Sequence, residues 1–306
     1  MDATCARVAT PMNKNVSGLK HRRPRIVRTL PALKLVIDQW RRRGDVTALV
    51  PTMGALHAGH HALVQLARRR ADRVTVSIFV NPTQFAPNED LAAYPRTFAT
   101  DVAALGDGRA DLVWAPSIAT MYPDGFATRI VPQGPALAGL EDAYRPHFFA
   151  GVATVVAKLL IQCEPDIAVF GEKDYQQLVV VRRLTRDFGL ETRIIGVPTV
   201  REPDGLALSS RNRYLSARER AAAPTLYRVL RQSAAEIAAG KPAASVLARG
   251  RAAIKAAGFA LDYLEARDSG TLMPHGDTDS RSMRLLVAAR LGKTRLIDNL
   301  GVKLPR

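Results

Sequence analysis

Two short apolar runs, residues 46–50 and 74–80, flank a stretch of helical pattern, residues 60–70, with Leu63, Leu66 and Ala67 on one face. A strand that is β-branched and apolar throughout is one buried on both faces. Strand, helix, strand in that order is a βαβ unit, so the sheet is expected to be parallel with a right-handed crossover. The rhythm continues. Candidate strands follow at 112–114, 167–170 and 193–197, and helices at 151–162 and 174–187. A further helix comes first, with Leu30, Leu33, Val36, Ile37 and Trp40 at helical spacing before the basic run Arg41, Arg42, Arg43. The pattern predicts a doubly wound parallel sheet, a Rossmann-like α/β domain over residues 26–198.

The pattern changes near Val200. Pro203-Asp204-Gly205 is a turn signal. Ser216 and Glu219 form a capping box for a long Ala-rich helix that stops at Gly240, and a second helix spans 243–257. Short strands are expected at 261–266, 284–289 and 295–297. Residues 199–306 therefore read as a smaller C-terminal α+β domain. Residues 1–25 lack hydrophobic periodicity and are expected to be a disordered basic tail.

Charge narrows the ligand class. The chain carries +16, of which residues 1–28 supply +6 through seven Lys or Arg against Asp2, leaving +10 on the rest. Such an excess favours anionic ligands, nucleotides or nucleic acid. Aromatic residues are only 6% of the chain and residues 1–25 contain none, so specific nucleic-acid recognition is not expected. No apolar run is long enough to span a bilayer and none follows the basic start as a signal peptide would, so a cytoplasmic protein is expected. Cys5 and Cys163 make neither a disulfide framework nor a zinc site; Cys163, after an apolar helical run, is expected to be a buried thiol.

The segment richest in chemistry is Pro51-Thr-Met-Gly-Ala-Leu-His57-Ala-Gly59-His60. It lies where the first strand of the βαβ unit ends and the helix begins, the edge where open α/β sheets bind ligands. A helix start offers unpaired N–H groups and partial positive charge suited to phosphate. His57 and His60 can donate to phosphate oxygens. A single His here would more often be an ordinary core or surface residue; two of them flanking Gly59 at this junction favour function. A His-x-x-His metal pair is the competing functional reading, but no usual third ligand lies nearby. Ser209 and Ser210 lack the strand–elbow–helix context of a serine hydrolase.

His57-Ala-Gly-His60 resembles the HIGH signature of the nucleotidylyltransferase superfamily. The wider string, together with Val76-Ser-Ile-Phe-Val-Asn-Pro-Thr-Gln-Phe85, Tyr94-Pro-Arg-Thr97, Phe170-Gly-Glu-Lys-Asp-Tyr-Gln-Gln177 and the blocks at 196–212, 285–292 and 295–299, is similar to the pantothenate synthetase family in particular. The resemblance runs in order over about residues 26–300. It implies ATP-dependent condensation of pantoate with β-alanine through a pantoyl adenylate, with Mg²⁺, in a homodimer. It places ATP on Met53, Gly54, Ala55, Leu56, His57, Ala58, Gly59 and His60. ATP would also contact Gly171, Glu172, Lys173, Asp174 and Val200, and the lid residues Leu208, Ser209, Ser210 and Arg211. It places pantoate on Gln84 and Gln177, with Asn81 joining the substrate site, and gives His60, His57 and Lys173 catalytic roles. Asp174 could also cap the following helix. A rival within the superfamily would transfer a nucleotidyl group to a phosphorylated substrate. Three positions depart from the family pattern: Phe148 stands where a His is usual, Ala58 where an acid is common, and Thr83 where Met is frequent.

Overall fold

The computed structural model describes residues 23–86, 89, 91–107, 109–274 and 282–304. The elements run β1 (Arg25–Val27), α1 (Leu30–Arg42), β2 (Thr47–Thr52), α2 (Ala58–Arg70), β3 (Arg73–Ile78), α3 (Phe98–Ala104), β4 (Leu112–Trp114), α4 (Ile118–Met121) and α5 (Glu141–Tyr144). They continue with α6 (Phe148–Cys163), β5 (Ile167–Gly171), α7 (Tyr175–Asp187), β6 (Arg193–Val197), α8 (Ala217–Ala222), α9 (Thr225–Ala238), α10 (Ala243–Ala256), β7 (Ala260–Asp268), β8 (Ser282–Leu291) and β9 (Thr294–Lys303).

The first six strands form one parallel sheet in the order β1-β4-β3-β2-β5-β6. Strand side chains alternate between its faces. Leu49, Leu112, Trp114, Ala168 and Phe170 pack with α1, α6 and α7. Ala48, Val50, Val113, Ile167 and Val169 pack with α2 and α3 on the opposite face. Burial on both faces explains why these strands read as continuous apolar runs, and it bears out the doubly wound expectation.

β7, β8 and β9 form a separate antiparallel sheet. It too is covered on both sides. Leu285, Val287 and Ala289 face α9 and α10, while Leu286 and Ala288 join the core of the parallel sheet. A buried ionic cluster ties the parts together: Arg295 of β9 forks onto Glu141 at 2.6 and 2.8 Å, and Tyr263 of β7 donates to the same carboxylate at 2.8 Å.

Three expectations need correction. Residues 1–22 lie outside the described residues, Cys5 among them, but Arg25 is not tail: it opens the edge strand β1 beside β4. Three residues with basic flanks are too short a run to show strand periodicity. The single long helix from Ser216 is two, because Pro224 has no N–H to continue a helix and sits at the head of α9. Ser216 and Glu219 do form the expected capping box. β9 extends to Lys303, well beyond residue 297. Cys163 is buried, which pushes its thiol pKa up to about 12. No helix among the described residues is long and apolar enough to cross a membrane.

Candidate active site

Strand order reverses between β2 and β5, which are parallel neighbours paired at Ala48–Ile167 and Leu49–Ala168. Loops leaving the carboxyl ends of such a pair diverge and open a crevice. Residues 53–57 follow β2, and residues 172–174 follow β5. A cavity of about 640 Å³ lies there, within the range of small-molecule sites.

The loop after β2 is built to be rigid. Gly54 and Ala55 both take positive φ, 83° and 51°. Asp101, on α3 and 3% exposed, holds that turn: its carboxylate accepts from the N–H groups of Ala55 at 3.0 Å and Leu56 at 2.8 Å, and from the Thr97 hydroxyl at 3.1 Å. His57 is the N-cap of α2. Its Nδ1 accepts from the Gly59 N–H at 3.1 Å, and the His60 Nδ1 accepts from the His57 N–H at 3.3 Å. A Cβ on Gly59 would stand 2.8 Å from His57 Cε1, so glycine is what leaves room for the imidazole.

This arrangement corrects one expectation. The loop and helix start offer fewer unpaired donors than expected: the N–H groups of Gly54, Ala55, Leu56 and His57, and that of Gly59 in the first turn, are bonded within the protein. The imidazoles' other edge remains open to a ligand. With Nδ1 accepting in both rings, the proton of each neutral imidazole sits on Nε2. Burial, followed by the charges of Lys173 and His61, lowers the His57 pKa to about 4. Burial, followed by His57, His61 and Lys173, lowers that of His60 to about 3. The rings lie 4.2 Å apart between centroids.

Lys173 faces these histidines across the cavity, with its Nζ 3.8 Å from Asp174 Oδ1. Asp174 occupies the position before α7, but its side chain makes no capping bond, so the capping reading is not borne out. On the third side a hairpin brings Val200, Leu208, Ser209, Ser210 and Arg211 to the wall. Its ends meet where the Leu208 N–H donates to the Val200 carbonyl at 3.0 Å.

Beyond β3 the wall changes character. Asn81, 1% exposed, accepts from the Tyr122 hydroxyl at 2.8 Å and donates to Gln84 Oε1 at 3.1 Å and the Gly151 carbonyl at 3.2 Å. It holds the turn that carries Gln84. Among the described residues the Gln84 amide nitrogen donates to the Met53 sulfur alone, at 3.1 Å, a weak acceptor that a ligand oxygen can displace. Gly151 lets α6 approach this turn: a Cβ there would meet the Thr83 carbonyl at 2.4 Å. Gln177 lines the same region. Phe148 is buried under Arg145, whose guanidinium lies 3.8 Å above its ring, so the aromatic substitution is absorbed as packing.

The cavity thus gathers Met53, His57, Gly59, His60, Asn81, Gln84, Gly171, Lys173, Asp174, Gln177, Val200, Leu208, Ser209, Ser210 and Arg211. Gly54, Ala55, Leu56, Ala58 and Glu172 do not line it; they shape the loops behind it. Sequence reasoning missed Asp101, Gly151, Arg201, Asp298 and Asn299. The signal for Asp101 was an acid between the buried positions of a short helix. Asp298 and Asn299 stood in a block whose likeness was noted but given no physical role. Among the described residues no group of three or more His, Cys, Asp or Glu side chains could hold a metal ion.

A family model described as pantoate-beta-alanine ligase matches residues 25–301. A curated relative named pantothenate synthetase 2, from Bradyrhizobium diazoefficiens, is 61% identical over 281 residues, covering 92% of this chain and 99% of the relative. The crystal structure of pantothenate synthetase from Thermus thermophilus superimposes with a TM-score of 0.85 at 47% identity, covering 92% of this chain and 100% of that one. A pantoate-beta-alanine ligase from Francisella tularensis, solved in complex with beta-gamma ATP and beta-alanine, matches with a TM-score of 0.76 at 36% identity over 90% of this chain and 97% of its own. By model, sequence and fold alike, the chain belongs to the pantoate–β-alanine ligase family.

Proposed function

We propose that this chain makes pantothenate by joining pantoate to β-alanine with ATP, through a pantoyl adenylate, releasing AMP and pyrophosphate. The observation that carries this reading is the meeting of two self-capped histidines and Lys173 with the Gln84 turn in one cavity at the sheet's switch point. The nucleotide and β-alanine held by the Francisella relative support it.

In the first step a pantoate carboxylate oxygen attacks the α-phosphorus of ATP and the bond to the bridging oxygen breaks, so pyrophosphate leaves. His57 and His60 donate from Nε2 to the phosphate oxygens, and Lys173 and Arg211 supply positive charge as negative charge shifts to the leaving group. In the second step the neutral amine of β-alanine attacks the acyl carbon; the acyl–oxygen bond breaks, AMP leaves and the amine gives up a proton. No covalent enzyme intermediate is needed. Gln84 and Gln177 orient pantoate, with Asn81 fixing Gln84. His60 acts through a hydrogen bond rather than as a cation in the free enzyme, since its lowered pKa leaves it neutral at pH 7.

The donor set does not fit a protein-held divalent cage among the described residues. Mg²⁺, where the reaction uses it, would come with the nucleotide and would offset the charge of its phosphates. The reading includes residues 26–198 and 199–306 as two domains, the second carrying the lid loop 208–211 over bound ATP. It also includes a homodimer, by family likeness, and the cytoplasmic location expected from the sequence's lack of a bilayer-length run or signal peptide.

One assay tests it. Protein is incubated with ATP, Mg²⁺ and pantoate, with and without β-alanine, and AMP and pyrophosphate are followed. Steady AMP release only when β-alanine is present is expected, together with loss of adenylate formation in folded His60→Ala. A folded wild-type protein that yields neither pyrophosphate nor amide overturns the reading.

A further inference from the structure

We propose that Asn299 is a positioning residue for the adenylation step, holding the loop of Lys173 in the register that Lys173 needs to meet the phosphates. The inference rests on the function proposed above. Asn299 lies on β9, in the antiparallel sheet, and is buried. Its side-chain amide donates to two successive carbonyls of the loop after β5, Glu172 and Lys173, each at 2.8 Å. Its amide oxygen accepts from Arg284 Nε at 2.7 Å, so every polar atom of the side chain is committed. Arg284 in turn bonds the Glu172 carboxylate at 2.8 Å and lies 3.6 Å above the Tyr175 ring. The loop is therefore gripped from β8 and β9 at several points on its backbone and flanks, while the Lys173 side chain lines the cavity.

The neighbouring residue makes the same kind of connection to the lid hairpin. Asp298 receives a forked bond from Arg201 at 2.6 and 2.9 Å, and Arg201 also donates to the Gly205 carbonyl at 3.1 Å within the hairpin. The Asn299 N–H closes onto Asp298 Oδ1 at 2.7 Å. Two adjacent residues of one strand thus hold the two loops that face each other across the nucleotide part of the cavity. A side chain that served only to fill the core would not need two donors aimed at consecutive carbonyls of a ligand-facing loop. Asn supplies two N–H groups from one nitrogen, and no apolar residue of its size can replace them.

The test is a double-mutant cycle on the full chain with Asn299→Ala and Lys173→Met, read by two half-reactions. Pantoate-dependent exchange of pyrophosphate into ATP reports adenylation; reaction of supplied pantoyl adenylate with β-alanine reports the second step. Asn299→Ala is expected to slow exchange by on the order of 10- to 100-fold, the cost of misplacing a charge-stabilising group by about 1 Å. The second step and the KM for pantoate should stay within about twofold. In the Lys173→Met background the added Asn299→Ala should cost little, because the group it positions is gone. Asn299→Ser, which retains one donor, should be intermediate, and it gives the same comparison if the Ala variant does not fold. Equal slowing of both half-reactions, or an Asn299 effect undiminished without Lys173, overturns the inference. Absence of exchange in the wild type would instead overturn the functional reading itself.

Discussion

His57 and His60 cap one another's turn: the His60 Nδ1 accepts the His57 N–H at 3.3 Å, while His57 turns its own Nδ1 onto the Gly59 N–H at 3.1 Å. The pair therefore fixes its tautomers before any ligand arrives. Each ring spends its acceptor nitrogen on the helix start and keeps its Nε2–H for the cavity. A protonated ring would lose the Nδ1 acceptor and break the cap, so the hydrogen bonding and the lowered pKa values agree.

It follows that adenylation should not need an imidazolium in the free enzyme. kcat/KM for ATP, which reports free-enzyme ionisations, is expected to be level between about pH 6 and 8. A measured fall centred near the ordinary histidine value would show that a cationic His57 or His60 is the active form.

Stability should respond to pH in the opposite sense to a salt-bridged histidine. Both folded pKa values lie below the ordinary 6.5, at about 4 and about 3. Between those limits the unfolded chain binds more protons, so stability is complete above about pH 6.5 and is lost as pH falls. His60 contributes a slope of at most about 1.4 kcal/mol per pH unit, and His57, more open to water, contributes less. Urea midpoints should fall further between about pH 7.5 and 5 in wild type than in His57→Asn/His60→Gln. Equal falls in both proteins would refute the assignment.

The parallel sheet was legible because strands buried on both faces carry uninterrupted apolar runs; Leu112–Trp114, buried throughout, is found with the expected bounds, and so is the partly exposed edge strand Arg193–Val197. The HxGH and Gly171–Asp174 loops were legible because they sit at strand ends, where α/β sheets place ligands. What escaped notice was support from a distance. Asp298 and Asn299 look like turn formers, and ended the expected strand at residue 297, yet both are buried mid-strand with partners more than ninety residues away. Asp101 is likewise a polar residue whose partners, Ala55 and Leu56, lie forty-five or more positions back. Local periodicity carries no information about such pairs. At the start of α2 the partners are local instead: His57 and His60 themselves take the N–H groups of Gly59 and His57.

Gly59→Ala separates stability from activity. In a helix interior Ala is favoured over Gly by about 0.8–1 kcal/mol, so the change ought to help the first turn of α2. Here the new methyl would stand 2.8 Å from His57 Cε1 and 2.9 Å from its Nδ1. The imidazole must swing away, losing the cap and its aim at the phosphates. Melting temperature is expected to move by only a few degrees, while pyrophosphate exchange drops on the order of 100-fold. Wild-type exchange in a well-folded variant would mean that the observed His57 rotamer is not the working one.

Asp101→Asn tests whether the turn before His57 is held by charge or only by shape. The carboxylate accepts two backbone N–H groups and the Thr97 hydroxyl in a buried setting. Asn keeps the size but turns one acceptor into a donor, so one atom must face an N–H with nothing to accept it. A buried donor left unpaired costs about 1–3 kcal/mol. The same contacts hold Ala55 at a φ of 51°, a region that itself costs a non-glycine residue roughly 1–2 kcal/mol. With the clamp weakened that strain favours relaxation of the turn, and relaxation moves His57 because only Leu56 separates it from Ala55. Lower stability and slower adenylation are therefore expected together, with β-alanine attack on supplied adenylate unchanged. Ala55→Gly removes the strain at its source, so adding it to Asp101→Asn should recover part of the adenylation rate. If the second change recovers nothing while both proteins stay folded, the clamp is not what aims His57.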